Sequence, residues 1–431
     1  MTKFRSRSGD RRDNYHDCPA QRPTGVEVLH GPLEQARDPD MQSELSAIGI
    51  ELTAWLVFGI LIANSRDCAP HAALLRQSSD LSGFDDPGEN AMANPAVVLT
   101  VDPVGPKYPI SEQCEMPKIT VTAQLQNVTP DPKVPLQYQW KVTLSFNGQG
   151  CAHATQRMIK HDDISQVTST NKFQIPFTQV RGGALTISVT VAVAATTLTA
   201  STKDLVVTAT NPSVGSLAGA AAPNQTFRKL IRVESGLRQF LSDTCPLFSG
   251  DGYGGVGLCQ LTSPAPTDDQ IWSWKENVKG GWALYKQKEA VARAFPKSVR
   301  DGADFKALVK TYNEKRQAKL KAAAAAAKPD AGTAAPIPDL AIELPDYTDD
   351  QLERDTLRGF NGYAGLHEYR VKVDKDGVLV VTEDPSATKG KAEWEQVTKG
   401  ERIKFYDQNN VPTNKRGDPN YVEDVESKAG F

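Results

Sequence analysis

The sequence predicts a multidomain chain, an antiparallel β-sandwich followed by a mostly helical domain, and three observations carry that prediction. Between about residues 95 and 210, apolar and polar residues alternate at period two, with Gly, Pro and Asn between the runs. From about residue 224 onward, apolar residues recur at helical spacing instead. The intervening stretch 211–223, Asn211-Pro-Ser-Val-Gly-Ser-Leu-Ala-Gly-Ala-Ala-Ala-Pro, is rich in small residues and turn formers and reads as a linker.

A chain of 431 residues is long enough for two or three domains. Its formal net charge of -3 argues against nucleic acid as the main partner. Residues 1–94 read as a poorly structured or non-native extension, because Arg, Asp, His, Cys and Pro mix there without a sustained period and regular patterning begins only at Met92. Gly88-Glu89 is compatible with a ribosome-binding sequence just upstream of an internal start at Met92. Within the extension, Leu45 to Ala63 has about the length of a membrane span. Glu51 interrupts it, and Asp38, Asp40 and Glu44 stand where a secretory signal would carry basic residues, so the segment is left as a candidate anchor at 45–63 without a convincing signal peptide.

The sandwich elements are Ile119-Thr-Val-Thr-Ala-Gln-Leu, Leu136-Gln-Tyr-Gln-Trp-Lys-Val-Thr-Leu, Phe173-Gln-Ile-Pro-Phe, Ala184-Leu-Thr-Ile-Ser-Val-Thr-Val and the closing Asp204-Leu-Val-Val-Thr-Ala-Thr. Together they resemble an immunoglobulin-like module over 95–210. Trp140 falls on an inward position of its strand and reads as core, with a sugar-stacking platform as the alternative. In the second half, Lys321 to Pro338 is low in complexity. Its alanine run extends the charged helix Phe305 to Lys321, and Pro329 and its successors stop it. That helix reads as a solvated face rather than a binding surface.

The chemistry concentrates on one carboxylate. In Phe227-Arg-Lys-Leu-Ile-Arg-Val-Glu-Ser, the spacing of Phe227, Leu230 and Ile231 predicts an amphipathic helix that ends near Glu234. A carboxyl group flanked by apolar side chains is kept protonated more readily, which general-acid catalysis requires. Glycosidases commonly add a second carboxylate as base or nucleophile. Asp243 and Asp251, in the connection after the helix, are the candidates, although that connection also reads as ordinary turns.

Four short motifs stand in order: Glu234-Ser235, Gly257-Leu258-Cys259-Gln260, Arg358-Gly-Phe360-Asn361-Gly362 and Asn420-Tyr421-Val422. This order resembles the soluble lytic transglycosylase family, whose lysozyme-like domain cuts peptidoglycan, over roughly residues 224 to 428. The fold the resemblance implies is an immunoglobulin-like β-sandwich followed by a mostly α, lysozyme-like (α+β) domain over 224–431, with a helical, Ala-rich insertion at about 283–345. It implies that Glu234 is the sole acid and then base, cleaving after N-acetylmuramic acid while the substrate's own N-acetyl group or 6-hydroxyl completes a 1,6-anhydro end. Ser235 would help hold the N-acetyl group, Gln260 and Asn361 would bond the sugars with Gly257, Leu258 and Phe360 lining their path, and Tyr421 would position Glu234. Cys259 replaces the family's usual methionine and Phe360 its usual tyrosine.

The partners implied are peptidoglycan glycan strands, with a phage tail or secretion apparatus docking through the sandwich as a further partner. The site of action would be the periplasm or cell wall. A muramidase that adds water, and a non-catalytic binding component of such a machine, remain the alternatives. No cofactor is implied, and His153, His161 and His367 lack metal-ligand spacing. Cys114 and Cys151 fall in one region and Cys245 and Cys259 in another, so one disulfide per region is the expectation, against four free thiols. Trp272, Trp274 and Trp282 supply rings that suit either a sugar groove or a core helix.

Overall fold

The computed structural model describes residues 94–152, 158–220, 224–249, 254–327, 336–362, 365–386, 388–411 and 417–431. All of them belong to the compact unit Asp86–Phe431. Residues 1–93 of the extension, with the apolar segment 45–63, and Asp251 and His153 lie outside the described residues. What is described is an α+β protein of several sheets and eight helices.

Two sheets enclose the first core. One has the order β1 (Ala96–Asp102), β3 (Thr120–Gln126), β7 (Lys172–Gln174), all antiparallel. The other is built on a long antiparallel pair, β4 (Tyr138–Asn147) with β8 (Gly183–Val193). Their period-two patterns put Trp140, Val142, Leu144, Leu185, Ile187 and Val189 inside, which is why the alternation was legible. β5 (Met158–Lys160) and β6 (Ile164–Thr168) pair with the outer edge of β4. β9 (Thr196–Ser201) and β10 (Leu205–Thr208) pair with β8. β2 (Lys107–Pro109) joins β10 in parallel, so this sheet is mixed rather than purely antiparallel. Trp140 crosses between the sheets: its ring stacks on Phe173 at 5.3 Å, and its Nε1 donates to Thr168 Oγ1 at 2.9 Å. At 2% exposure it is a core residue and offers no platform to a sugar.

The described part of the stretch read as a linker, 211–220, is not open chain. It holds helix α1 (Val214–Ala220), whose Leu217 is buried, and the Glu112 carboxylate accepts from Ser213 N at 2.8 Å and Ser216 Oγ at 2.7 Å. Beyond it the first core continues: Phe240, Phe248, Val256, Ile271 and Trp272 all belong to the cluster that fills the sandwich. Trp272 meets Phe146 edge-on at 5.3 Å and lies over Gly182, where any Cβ would strike the indole.

The cysteine expectation is corrected in the same place. Cys151 is bonded to Cys245, joining the sandwich to the second half, while Cys114 and Cys259 are free thiols. Pairing by region fails because the β11 (Phe240–Ser242) and β12 (Cys245–Pro246) hairpin packs onto the sandwich, not onto the turn that carries Cys259.

Helices α2 (Gln225–Ser235), α4 (Trp274–Asp301), α6 (Asp349–Phe360) and α8 (Tyr421–Ser427) surround the second core, made of Phe227, Leu230, Ile231, Leu258, Val278, Leu357, Val422 and their neighbours. The short helix α3 (Asp268–Trp272) leads into α4 and starts on a Thr267 capping box. Helix α5 (Ala303–Ala327) takes in the charged segment and the alanine run as expected. The polypeptide after it carries five short strands that helical periodicity did not reveal. β13 (Ala341–Glu343), β16 (Lys389–Ala392) and β15 (Val381–Glu383) form one sheet against α5, and β14 (Tyr369–Val371) pairs with β17 (Trp394–Gln396). Helix α7 (Lys399–Gln408) follows them. Among the described residues, no helix is long and apolar enough to cross a membrane.

Candidate active site

Helix α2 has a defined start and stop. The Asn224 side chain accepts from Phe227 N, a cap that stabilises a helix by about 1 kcal/mol, and Gly236 leaves the helix in the left-handed region at φ 60° while its N–H reaches Arg232 O. Phe227, Leu230 and Ile231 are buried in the second core, so the helix cannot rotate without exposing them. That fixes the direction of Glu234, one residue before the helix end and half-buried.

Tyr421, at the first turn of α8, donates its hydroxyl to Glu234 Oε1 across 187 residues of sequence. Its ring is buried with Val422 and Val425 in the same core as α2. Burial and the neighbouring Glu234 carboxylate push the phenol far above its ordinary range, so it remains a donor at any physiological pH. The Cys259 thiol is pushed up by the same two causes and stays protonated. The Tyr421 hydroxyl thus holds the Glu234 carboxyl group in one orientation, as an acid that must present a proton in one direction requires.

The Gly257-Leu258-Cys259-Gln260 turn is held from beneath by two buried amides. Gln239 Oε1 accepts from Leu258 N at 3.0 Å while its Nε2 donates to the carbonyls of Gln270 and Ile271. Asn277 Oδ1 accepts from Cys259 N at 2.9 Å, and its Nδ2 donates to Val256 O and Gln270 O. Gly257 has φ +72°, and a Cβ there would come within 2.6 Å of both amides, so the position admits only glycine. Neither Gln239 nor Asn277 was expected from the sequence, because isolated amides carry no periodic signal. Both are fully buried.

The other expected residues are spoken for in specific ways. Ser235 is buried, and its hydroxyl donates to Ile231 O at 3.0 Å, so it braces its own helix. Leu258 is core, and Phe360 packs against that core partly buried. Gln260 Nε2 donates to Gly257 O at 2.7 Å, closing its own turn. Asn361 donates Nδ2 to Asp418 O at 2.7 Å and accepts from Asp418 N at 3.2 Å, tying the end of α6 to the residues just before Tyr421. The four motifs thus converge: the first meets the fourth through Glu234 and Tyr421, the second through Cys259, and the third through Asn361 and Asp418.

Asp243 forms an ion pair with Lys107 at 2.6 Å. Trp272 and Trp274 are buried, and Trp282 stacks on Tyr285 at 5.4 Å beside Phe227, which makes all three parts of the packing. His161 is buried beside Arg181 and Asp268, and His367 stacks on Phe295 and bonds Asp355 at 2.8 Å. No protein-family model matches the chain, and no curated protein matches it.

Proposed function

We propose that this chain is a lytic transglycosylase that breaks the β-1,4 bond between N-acetylmuramic acid and N-acetylglucosamine in peptidoglycan. The observation that carries the reading is the Tyr421 hydroxyl on the Glu234 carboxyl group, two residues brought together from opposite ends of the second half. Glu234 delivers its proton to the leaving glycosidic oxygen as the C1–O bond breaks. The carboxylate then takes the proton of the sugar's 6-hydroxyl as that oxygen bonds C1, which returns Glu234 to its starting state and leaves a 1,6-anhydro end. A second protein carboxylate is unnecessary in this scheme, and the engagement of Asp243 with Lys107 is consistent with that.

The sandwich is in this reading an immunoglobulin-like module and the second half a lysozyme-like fold. The disulfide between Cys151 and Cys245 supports action in an oxidising compartment, which the periplasm and cell wall provide. The test is a digest of purified sacculi by the wild type and by Glu234→Gln, read by mass spectrometry of the released muropeptides. Anhydro ends from the wild type and none from the variant are expected. Reducing ends would make the enzyme a muramidase, and equal release by both proteins would end the catalytic reading.

A further inference from the structure

We infer that Arg358, seated on the buried carboxylate of Glu368, is a positioning residue that sets Tyr421 against Glu234 through the carbonyls of Asp418 and Pro419. The inference rests on the reading of Glu234 as the acid.

Helix α8 has only seven residues, and its N-cap, Asn420, makes no side-chain cap. So short a helix does not hold its own first turn in place. Something outside it must define where Tyr421 stands. Arg358 does this with both ends of its guanidinium: Nη1 donates to Asp418 O at 3.0 Å and Nη2 to Pro419 O at 3.4 Å. Two consecutive carbonyls bonded to one planar fork fix the two peptide planes that lead into the helix. Asp418 O is also the acceptor for Asn361 Nδ2 and for the backbone N–H of Tyr421 itself, at 3.2 Å. Three donors meet on that single oxygen, and one of them belongs to the residue being placed.

The fork is aimed by Glu368. Arg358 Nε donates to Glu368 Oε2 at 2.9 Å, and neither side chain is exposed. Glu368 is in turn held by Arg402 Nη1 at 3.1 Å, by Gln396 Nε2 at 3.0 Å and through its own backbone N–H by Asp355. Arginines around Glu368 also hold α8 itself: Arg402 Nη2 bonds Glu423 at 3.1 Å, and Arg354, 3.6 Å from Glu368 Oε1, bonds Glu426 through Nη1 at 2.5 Å. Burying so many charges is rarely favourable to stability compared with apolar packing of the same volume. What the arrangement supplies is direction. It ties α6 and α7 to the backbone from which the Tyr421 ring projects, and small displacements of a proton-handling group reduce turnover steeply.

The experiment compares wild type, Arg358→Lys, Tyr421→Phe and the double variant, each checked for its melting temperature, with Asn361→Ala as a second probe of the same carbonyl should Arg358→Lys fail to fold. Lysine keeps the charge beside Glu368 but cannot fork onto two carbonyls. The first readout needs no substrate: the titration of the Glu234 carboxyl carbon by NMR, assigned by its loss in Glu234→Gln, with the Tyr421 hydroxyl bonded to that carboxyl and the Cys259 thiol under its charge. Arg358→Lys should displace that titration in the same direction as Tyr421→Phe. The second readout is sacculus cleavage, where Arg358→Lys should lower kcat by about tenfold with KM within about twofold, and should cost less than about twofold when added to Tyr421→Phe. An unmoved Glu234 titration in a folded variant, or losses that multiply in the double variant, would overturn the inference. A wild type that does not cleave sacculi would instead remove the proposed activity, leaving the titration to decide the role of Arg358.

Discussion

The Tyr421 hydroxyl donates a hydrogen bond to the Glu234 carboxyl at the margin of the apolar core that joins α2 to α8. Removing that hydroxyl with Tyr421→Phe leaves the ring's packing intact and takes away a bond to an ionisable group, a kind of bond that contributes about 1.5–3 kcal/mol. With Glu234 as the proposed acid, turnover on sacculi should fall by about 10- to 100-fold with little change in KM, because the bond acts on that carboxyl group and not on the sugar. Steady-state kinetics of muropeptide release is the check, and a rise in KM alone would count against this role.

The turn beneath the acid should be sensitive to changes far smaller than a lost ring. Asn277→Leu strands the buried Cys259 N–H and takes one donor from each of the carbonyls of Val256 and Gln270, which keep Leu261 N and Gln239 Nε2, and should destabilise the fold by about 2 kcal/mol. Gly257→Ala collides with the Gln239 amide at a left-handed φ and should cost about 2–3 kcal/mol. Chemical denaturation of each variant measures these losses. In both, the Cys259 thiol should also react faster with alkylating reagents, since its protection comes from the same burial.

Peptide mapping under non-reducing conditions should recover Cys151 linked to Cys245, with the buried Cys259 alkylated only after unfolding and the partly exposed Cys114 before it. The link closes a loop of 94 residues in sequence, and Cys151→Ser should lower stability by about 2–5 kcal/mol in an oxidising buffer. In dithiothreitol the wild type should match the variant. A wild type indifferent to reductant would show that the bond does not form in solution.

A pH limb should follow from His161. Burial, and then the Arg181 guanidinium 3.0 Å from Nδ1, hold its pKa below the ordinary 6.5, with Asp268 opposing. The folded state therefore favours the neutral ring. Its stabilisation is complete above pH 6.5 and is lost as pH falls from 6.5 toward the lower folded value, because the unfolded chain takes up the proton first. Melting temperature should decline as pH falls below 6.5, and His161→Gln should flatten that decline. Carboxylates titrating below this window leave the comparison between the two proteins unaffected.

Periodicity was enough to find α2, the long strands β4 and β8, and the inward face of Trp140, because each buries a stripe several residues long. The order of four short motifs pointed to Glu234 and Tyr421, and the fold brings these two into a hydrogen bond. What stayed hidden lacks either length or spacing. Strands of three residues such as β14 and β17 are too short to show alternation. Gln239, Asn277 and Glu368 are single polar residues whose meaning is their burial, which only the folded chain reveals. The bond from Cys151 to Cys245 was misjudged because the hairpin that carries Cys245 lies against the sandwich, a placement that cysteine spacing does not encode.

Trp272 belongs by sequence to the half that carries Glu234, yet its indole completes the interior of the other half, edge-on to Phe146 and pressed over Gly182. The two halves are consequently not portable modules. A fragment begun near Asn211 to obtain the half that carries Glu234 alone would place this indole, with Phe240 and Phe248, in water as a sticky apolar face. Grafting the sandwich onto an unrelated chain would leave it hollow at the same spot. Evolution of either half is constrained by the other's side chains, and any engineered exchange must carry Trp272 along with the strands it fills.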